Sequence, residues 1–115
     1  MKKYVEKITG KENLVNEWFA TCREKAIPYI TLENRNKYAS VRWDYITFSS
    51  DIDTKIDENQ DKYVSEIMDI FRKYANPKST YNVSGGLIEF DFIDIDFAHD
   101  CANEIYDVAV KICSV

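Results

Sequence analysis

Glycine and proline are scarce in this chain, with three Gly and two Pro in 115 residues. That leaves little flexible linker and no glycine-rich loop long enough to cradle a phosphate chain as a P-loop does. Disorder and a second domain are both unexpected, and residues 1–115 read as a single domain. No run approaches the ~20 apolar residues that a membrane-spanning helix needs. The opening stretch, Met1-Lys2-Lys3-Tyr4-Val5-Glu6-Lys7, lacks the apolar segment of a signal peptide. The expectation is an intracellular, cytoplasmic protein with no membrane contact.

Cysteine and histidine are also few. Cys22, Cys101 and Cys113 are odd in number and show no CxxC spacing, so a disulfide framework is not expected and ordinary buried thiols are. With a single histidine, any Ser-His-Asp or Cys-His arrangement must use His99. The nearest thiol, Cys101, is two residues on and so points about 200° away on a helix. A nucleophile from elsewhere, such as Ser49, Ser50 or Cys22, has nothing beside it to suggest activation.

What is present is the composition of a globular domain, 45% apolar and 30% charged. The net charge of −5 is uneven: residues 1–50 hold nine Lys or Arg against six Asp or Glu, and residues 51–115 hold six against fourteen. Such an acidic second half argues against contact with a phosphate backbone or an anionic membrane.

Periodicity divides the chain into seven elements. Leu14, Val15, Trp18, Phe19, Cys22 and Ala26 recur at helical spacing over residues 11–26, and Pro28 ends that helix. Ile27 to Leu32 reads as a strand, Asn34 to Lys37 as a turn, and a second strand lies within Tyr38 to Phe48, where Val41, Trp43 and Tyr45 share a face. A polar connector, Ser49 to Asp57, leads to a helix over about residues 58–75 that stops at Asn76-Pro77. Ser79 to Val83, Gly85-Gly86 and Leu87 to Ile93 form a second hairpin with Ile88, Phe90 and Phe92 on one side. The last helix begins after Asp94 or Asp96, either of which can cap it, and runs to about Ile112. The expected architecture is α+β and two-layered, a four-stranded antiparallel sheet from two hairpins with helices on one face, in the order α-β-β-α-β-β-α.

Two features point to partners. In the last helix Phe97, Cys101, Ile105, Val108 and Ile112 form a stripe that Ala102, Tyr106, Val110 and Cys113 widen beyond what one sheet face covers. That width fits either a sandwiched core helix or a homodimer interface through Tyr106 and Val110. The first hairpin gathers Tyr29, Tyr38, Trp43 and Tyr45 beside Arg35, Lys37 and Arg42, a composition enriched in protein interfaces and usable for stacking single-stranded bases. Ionisable groups cluster between Asp91 and Asp100, where Asp91, Asp94 and Asp96 with His99 suggest a divalent cation or a general base. Capping and surface exposure explain the same residues more simply.

The reading that follows is a small acidic protein-binding module of inhibitor, immunity, adaptor or chaperone type. It would contact a protein partner through Trp43, Tyr45, Tyr106 and Val110, self-associate, and need no cofactor or metal. The alternatives are a metal-dependent enzyme built on Asp91 to Asp100 and a single-stranded nucleic-acid binder using the first hairpin. In element order and acidic balance alone, the chain resembles the small acidic dimeric chaperones of bacterial secretion systems, a likeness of topology that does not itself imply function.

Overall fold

In the computed structural model, which describes residues 2–46 and 50–114, the chain runs β1 (Val5–Lys7), α1 (Glu12–Lys25), β2 (Tyr29–Arg35), β3 (Tyr38–Asp44), α2 (Ser50–Asp61), α3 (Val64–Tyr74), β4 (Thr80–Ser84), β5 (Leu87–Asp94) and α4 (Ile95–Cys113). One five-stranded sheet has the order β1-β2-β3-β5-β4, with β1 parallel to β2 and every other pairing antiparallel. The α+β class and both hairpins are as expected. The four-stranded antiparallel sheet is not, because β1 joins its edge and makes it mixed. Three residues are too few to display alternation, so the sequence carries no periodic signal for β1.

The helices do not all lie on one face. Ile30 and Leu32 of β2 point into the main core with Val41 and Trp43 of β3 and Ile88 and Phe90 of β5, under α2, α3 and α4. Thr31, between them, pairs with Val5, which packs with Trp18 and Cys22 of α1 in a separate cluster on the other face. A parallel β1-α1-β2 crossover must carry its helix over one face of the sheet, and here that face is opposite to the rest. Among the described residues α1 covers only the β1–β2 edge, and no helix lies over the outer face of β3, β5 and β4.

The expected connector at Ser49 to Asp57 and the helix at 58–75 are redistributed. Residues 50–61 form α2, whose inward stripe includes Ile56, Asn59 and Gln60; two of these three are polar, which hides it from a search for apolar periodicity. A turn follows, in which the Lys62 and Tyr63 amides donate to the carbonyls of Asn59 and Gln60, before α3 begins. Thr47 and Phe48, at the end of the expected second strand, and Ser49, at the start of the expected connector, lie outside the described residues.

On β5 the expected alternation also breaks. Phe90 pairs with Val41 and Ile93 with Ala39, with a register shift between them. Phe92 takes up the extra residue at φ 57°. The bulge turns Phe92 outward and puts Ile93, not Phe92, beside Ile88 and Phe90 in the core. Asp94 precedes α4 without capping it through its side chain, which instead accepts a hydrogen bond from Asn76 Nδ2 at 3.1 Å.

The wide apolar stripe of α4, apart from the exposed Phe97 and Val110, is used within the chain. The sheet covers one side and α2 and α3 another. Lys3 crosses Tyr106, its amine 5.3 Å from the ring and 3.2 Å from Asp107. The sandwiched core helix is therefore sufficient reason for the stripe, which no longer argues for self-association. No helix among the described residues is long and apolar enough to cross a membrane.

Candidate functional site

The four residues expected to touch a partner are dispersed. Trp43 is fully buried and Tyr106 nearly so, which leaves neither ring free to meet another molecule while the fold is intact. Tyr45 is half-buried, with its backbone amide donating to the Gly86 carbonyl at 2.9 Å. Val110 is exposed on α4. With Trp43 in the core, the first hairpin also loses the platform on which a base would stack.

The Asp91 to Asp100 segment comes apart in the same way. Asp91 lies on the outer face of β5 and accepts a short hydrogen bond from Ser40. Asp94 is held by Asn76, and Asp96 is exposed in the first turn of α4. Among the described residues, no three His, Cys, Asp or Glu side chains come together as metal ligands. His99 reaches across to the N-terminal strand: Nδ1 lies 2.5 Å from the Tyr4 hydroxyl and Nε2 3.3 Å from Glu6. Burial, then the charges of Glu6 and Asp100, push the Tyr4 phenol up, so it stays a neutral phenol and not a phenolate.

The thiols are equally quiet. Burial raises Cys22 and Cys113 to about 11 and Cys101 to about 12, the opposite of what a nucleophilic cysteine needs.

What the structure does bring together is a charged network on the open face of the sheet. Strand alternation places Ser40, Arg42 and Asp44 of β3 on this face, and the register sets Arg42 opposite Glu89 of β5. The Arg42 guanidinium forks onto Asp44 at 2.6 and 2.9 Å and reaches Glu89 at 3.2 Å. At the next row Arg35 of β2 pairs with Glu33 at 3.2 Å. These bonds keep both guanidinium groups charged: Asp44 foremost raises Arg42, and Glu33 foremost raises Arg35, with Asp91 and Glu89 adding smaller contributions. Four carboxylates, Glu33, Asp44, Glu89 and Asp91, thus surround two cations.

Aromatic pairs stand at both ends of this network. Tyr29 meets Phe19 of α1 edge-on at 5.3 Å, and Tyr38 meets the outward Phe92 at 5.9 Å. The alternation of Tyr38, Ser40, Arg42 and Asp44 was a readable signal for an outward face. Glu89, Asp91 and Phe92 were not readable as part of it, because a register 47 to 51 residues distant and a bulge decide their position.

Comparison of the chain with protein-family models, curated proteins and solved structures finds no significant match. Its description rests on the fold and this surface: an α+β domain with one sheet face left open and charged.

Proposed function

We propose that the chain is a protein-binding module that seats a basic protein surface on the open face of its sheet. The observation that carries this reading is the charged face itself, in which Arg42 holds Asp44 and Glu89, Arg35 holds Glu33 and Ser40 holds Asp91, between Tyr29–Phe19 and Tyr38–Phe92. Exposed ion pairs of this kind contribute only about 0–1 kcal/mol each to folding. Pre-ordered charges with a surplus of one sign favour a complementary partner and reject a like-charged one. Aromatic side chains beside arginine supply large, rigid contact area of the kind that dominates protein interfaces. An inhibitor, immunity, adaptor or chaperone role would each use such a face.

The test compares two isosteric triple variants of equal net charge. Glu33→Gln, Glu89→Gln and Asp91→Asn neutralise the open face; Glu66→Gln, Asp69→Asn and Glu104→Gln neutralise acids carried by α3 and α4. Immobilised wild type and the α3–α4 variant should both retain the same basic protein from a lysate. The face variant should lose it, and raising salt should release it as screening shortens to about 3 Å at 1 M. Equal retention by the two variants would end the reading.

A further inference from the structure

The sheet ends in two edges, β1 and β4, and they are unlike. β1 has three residues, two of them Glu6 and Lys7, and short charged edges are how natural sheets avoid pairing with other chains. β4, Thr80-Tyr81-Asn82-Val83-Ser84, carries no charge, no proline and no bulge. Its register decides which of its backbone groups are free. The Gly86 carbonyl accepts from the Tyr45 amide, so alternation turns the backbone groups of Gly86, Ile88 and Phe90 toward β3 and those of Leu87, Glu89 and Asp91 toward β4. Their partners Ser84, Asn82 and Thr80 are thereby engaged with β5. Tyr81 and Val83 direct both N–H and C=O to the open edge, where no described residue bonds them.

On the helix side this edge is apolar. Tyr81 is 54% exposed although Phe71 of α3 packs edge-on against it at 4.9 Å. Val64 and Met68 share with Phe71 the side of α3 turned away from α4, since Glu66 and Lys73, on the opposite side, pair with Lys111 and Glu104 of α4. Val64 is itself exposed.

We propose that β4 pairs with β4 of a second copy of this chain, antiparallel about a twofold axis at Asn82, joining the two sheets into one. In this register Tyr81 exchanges both backbone hydrogen bonds with the partner's Val83, and Val83 does the same with the partner's Tyr81, so every free group is used. Other antiparallel registers set Tyr81 or Val83 opposite itself and leave the remaining residue facing beyond the strand. On the helix face the exposed Tyr81 ring lies beside the partner's Val83, an aromatic–β-branched cross-strand pair; on the other face Asn82 meets its own copy and Thr80 the partner's Ser84. No like charges are directly opposed. Glu89, opposite Asn82 on β5, stands three strand spacings from its copy, about 14 Å, beyond the Debye length of ~8 Å. This self-match favours a second copy over an unrelated peptide. The contact is about 17 Å long and about 20 Å deep through sheet and helix, small for an interface, so the dimer is reversible and micromolar. It uses the sheet edge and not the open face, and either proposal can fail without the other.

The test is sedimentation equilibrium of the full chain, whose mass should rise from 13.5 kDa toward twice that between about 1 µM and about 1 mM. Over the same range the Tyr81 and Val83 amides should gain protection from hydrogen exchange, while those of Asn82 and Ser84 are protected throughout. Val83→Pro deletes an outward N–H and spares the ladder to β5, so it should give a folded monomer. Asn82→Lys and Asn82→Glu each set like charges across the axis and should be monomeric alone, yet recover the dimer when mixed in equal amounts. That pair keeps the test decisive should the proline variant not fold. The proposal is overturned if wild type stays at 13.5 kDa throughout, if its dimer survives Val83→Pro or Asn82→Lys, or if the folded lysine and glutamate variants do not associate on mixing.

Discussion

The side-chain amide of Asn59 donates to the carbonyl of Ile112 at 2.7 Å and to that of Lys111 at 3.0 Å, so a residue of α2 closes the last turn of α4. The last carbonyls of a helix have no partner within it. Here the Ile112 carbonyl is buried and takes its hydrogen bond from this amide, while the Lys111 carbonyl also accepts from the Ser114 amide at 3.3 Å. Asn59→Ala should lower the unfolding free energy by about 1–3 kcal/mol, the cost of a buried acceptor left unpaired. Asn59→Asp should be worse than alanine, because it sets a carboxylate against two carbonyl oxygens at the negative end of a helix. Urea denaturation of both variants checks the order; an aspartate variant as stable as wild type would contradict it.

Asn59 also shows where the sequence stops being legible. Both hairpins, α1 and α4 could be placed from periodicity, because their buried faces are continuous apolar stripes such as Leu14, Trp18 and Cys22. The stripe of α2 uses Asn59 and Gln60 as inward residues, and their burial makes sense only against α4 and the β4–β5 hairpin. The open face divides similarly. Arg42 and Asp44 share a side by local alternation, whereas their meeting with Glu89 depends on a pairing between strands far apart in sequence. Tyr106 and Trp43, singled out for their size and aromaticity, are core residues because the fold wraps α4 from several directions.

Gln60 holds the β4–β5 turn, accepting from the Gly86 amide at 2.8 Å and donating to the Ser84 carbonyl at 2.7 Å. The two glycines of that turn should differ in tolerance. Gly86 has φ 72°, so Gly86→Ala is strained whatever the space around it and should cost about 1–2 kcal/mol. A Cβ on Gly85 would meet the Asp57 carboxylate at 2.9–3.1 Å, but Asp57 is an exposed side chain that can rotate away. Gly85→Ala should therefore cost under about 0.5 kcal/mol, as surface substitutions usually do. Thermal unfolding of the pair settles it, and a Gly85→Ala midpoint below that of Gly86→Ala would reverse the assignment.

Phe92 is held in the left-handed region with its ring 44% exposed, while Asn76 Nδ2 and Ser79 Oγ both donate to its carbonyl at 2.8 Å. A bulky residue there costs about 1–2 kcal/mol of backbone strain. Its edge contact with Tyr38 returns about 0.5–1.5 kcal/mol. Phe92→Asn, which tolerates positive φ, should leave stability within about 1 kcal/mol of wild type. The same variant should weaken capture of the basic partner, since it removes an aromatic flank of the open face. Denaturation and capture measured together separate the two roles: a loss of stability well beyond that range would make Phe92 structural, and unchanged capture would remove it from the interface.

The three thiols, two buried and one partly buried, set an alkaline limit on stability. An unfolded cysteine titrates near ~8.5, whereas burial holds Cys22 and Cys113 to about 11 and Cys101 to about 12 in the folded chain. Between those values the folded chain keeps protons that the unfolded chain has lost. Linkage then requires stability to fall as pH rises. The contribution is fully present below about pH 8.5 and is lost on the way to the folded-state values. The urea midpoint should hold steady near neutrality and decline from about pH 9 upward. Cys101→Ala should start lower, because it leaves a void, but decline less steeply. At pH 8, Ellman's reagent should modify the native chain far more slowly than the urea-unfolded one, with the partly exposed Cys113 ahead of the fully buried Cys101. Rapid modification of Cys101 under native conditions, or an alkaline slope unchanged without it, would show that its environment is neither dry nor closed.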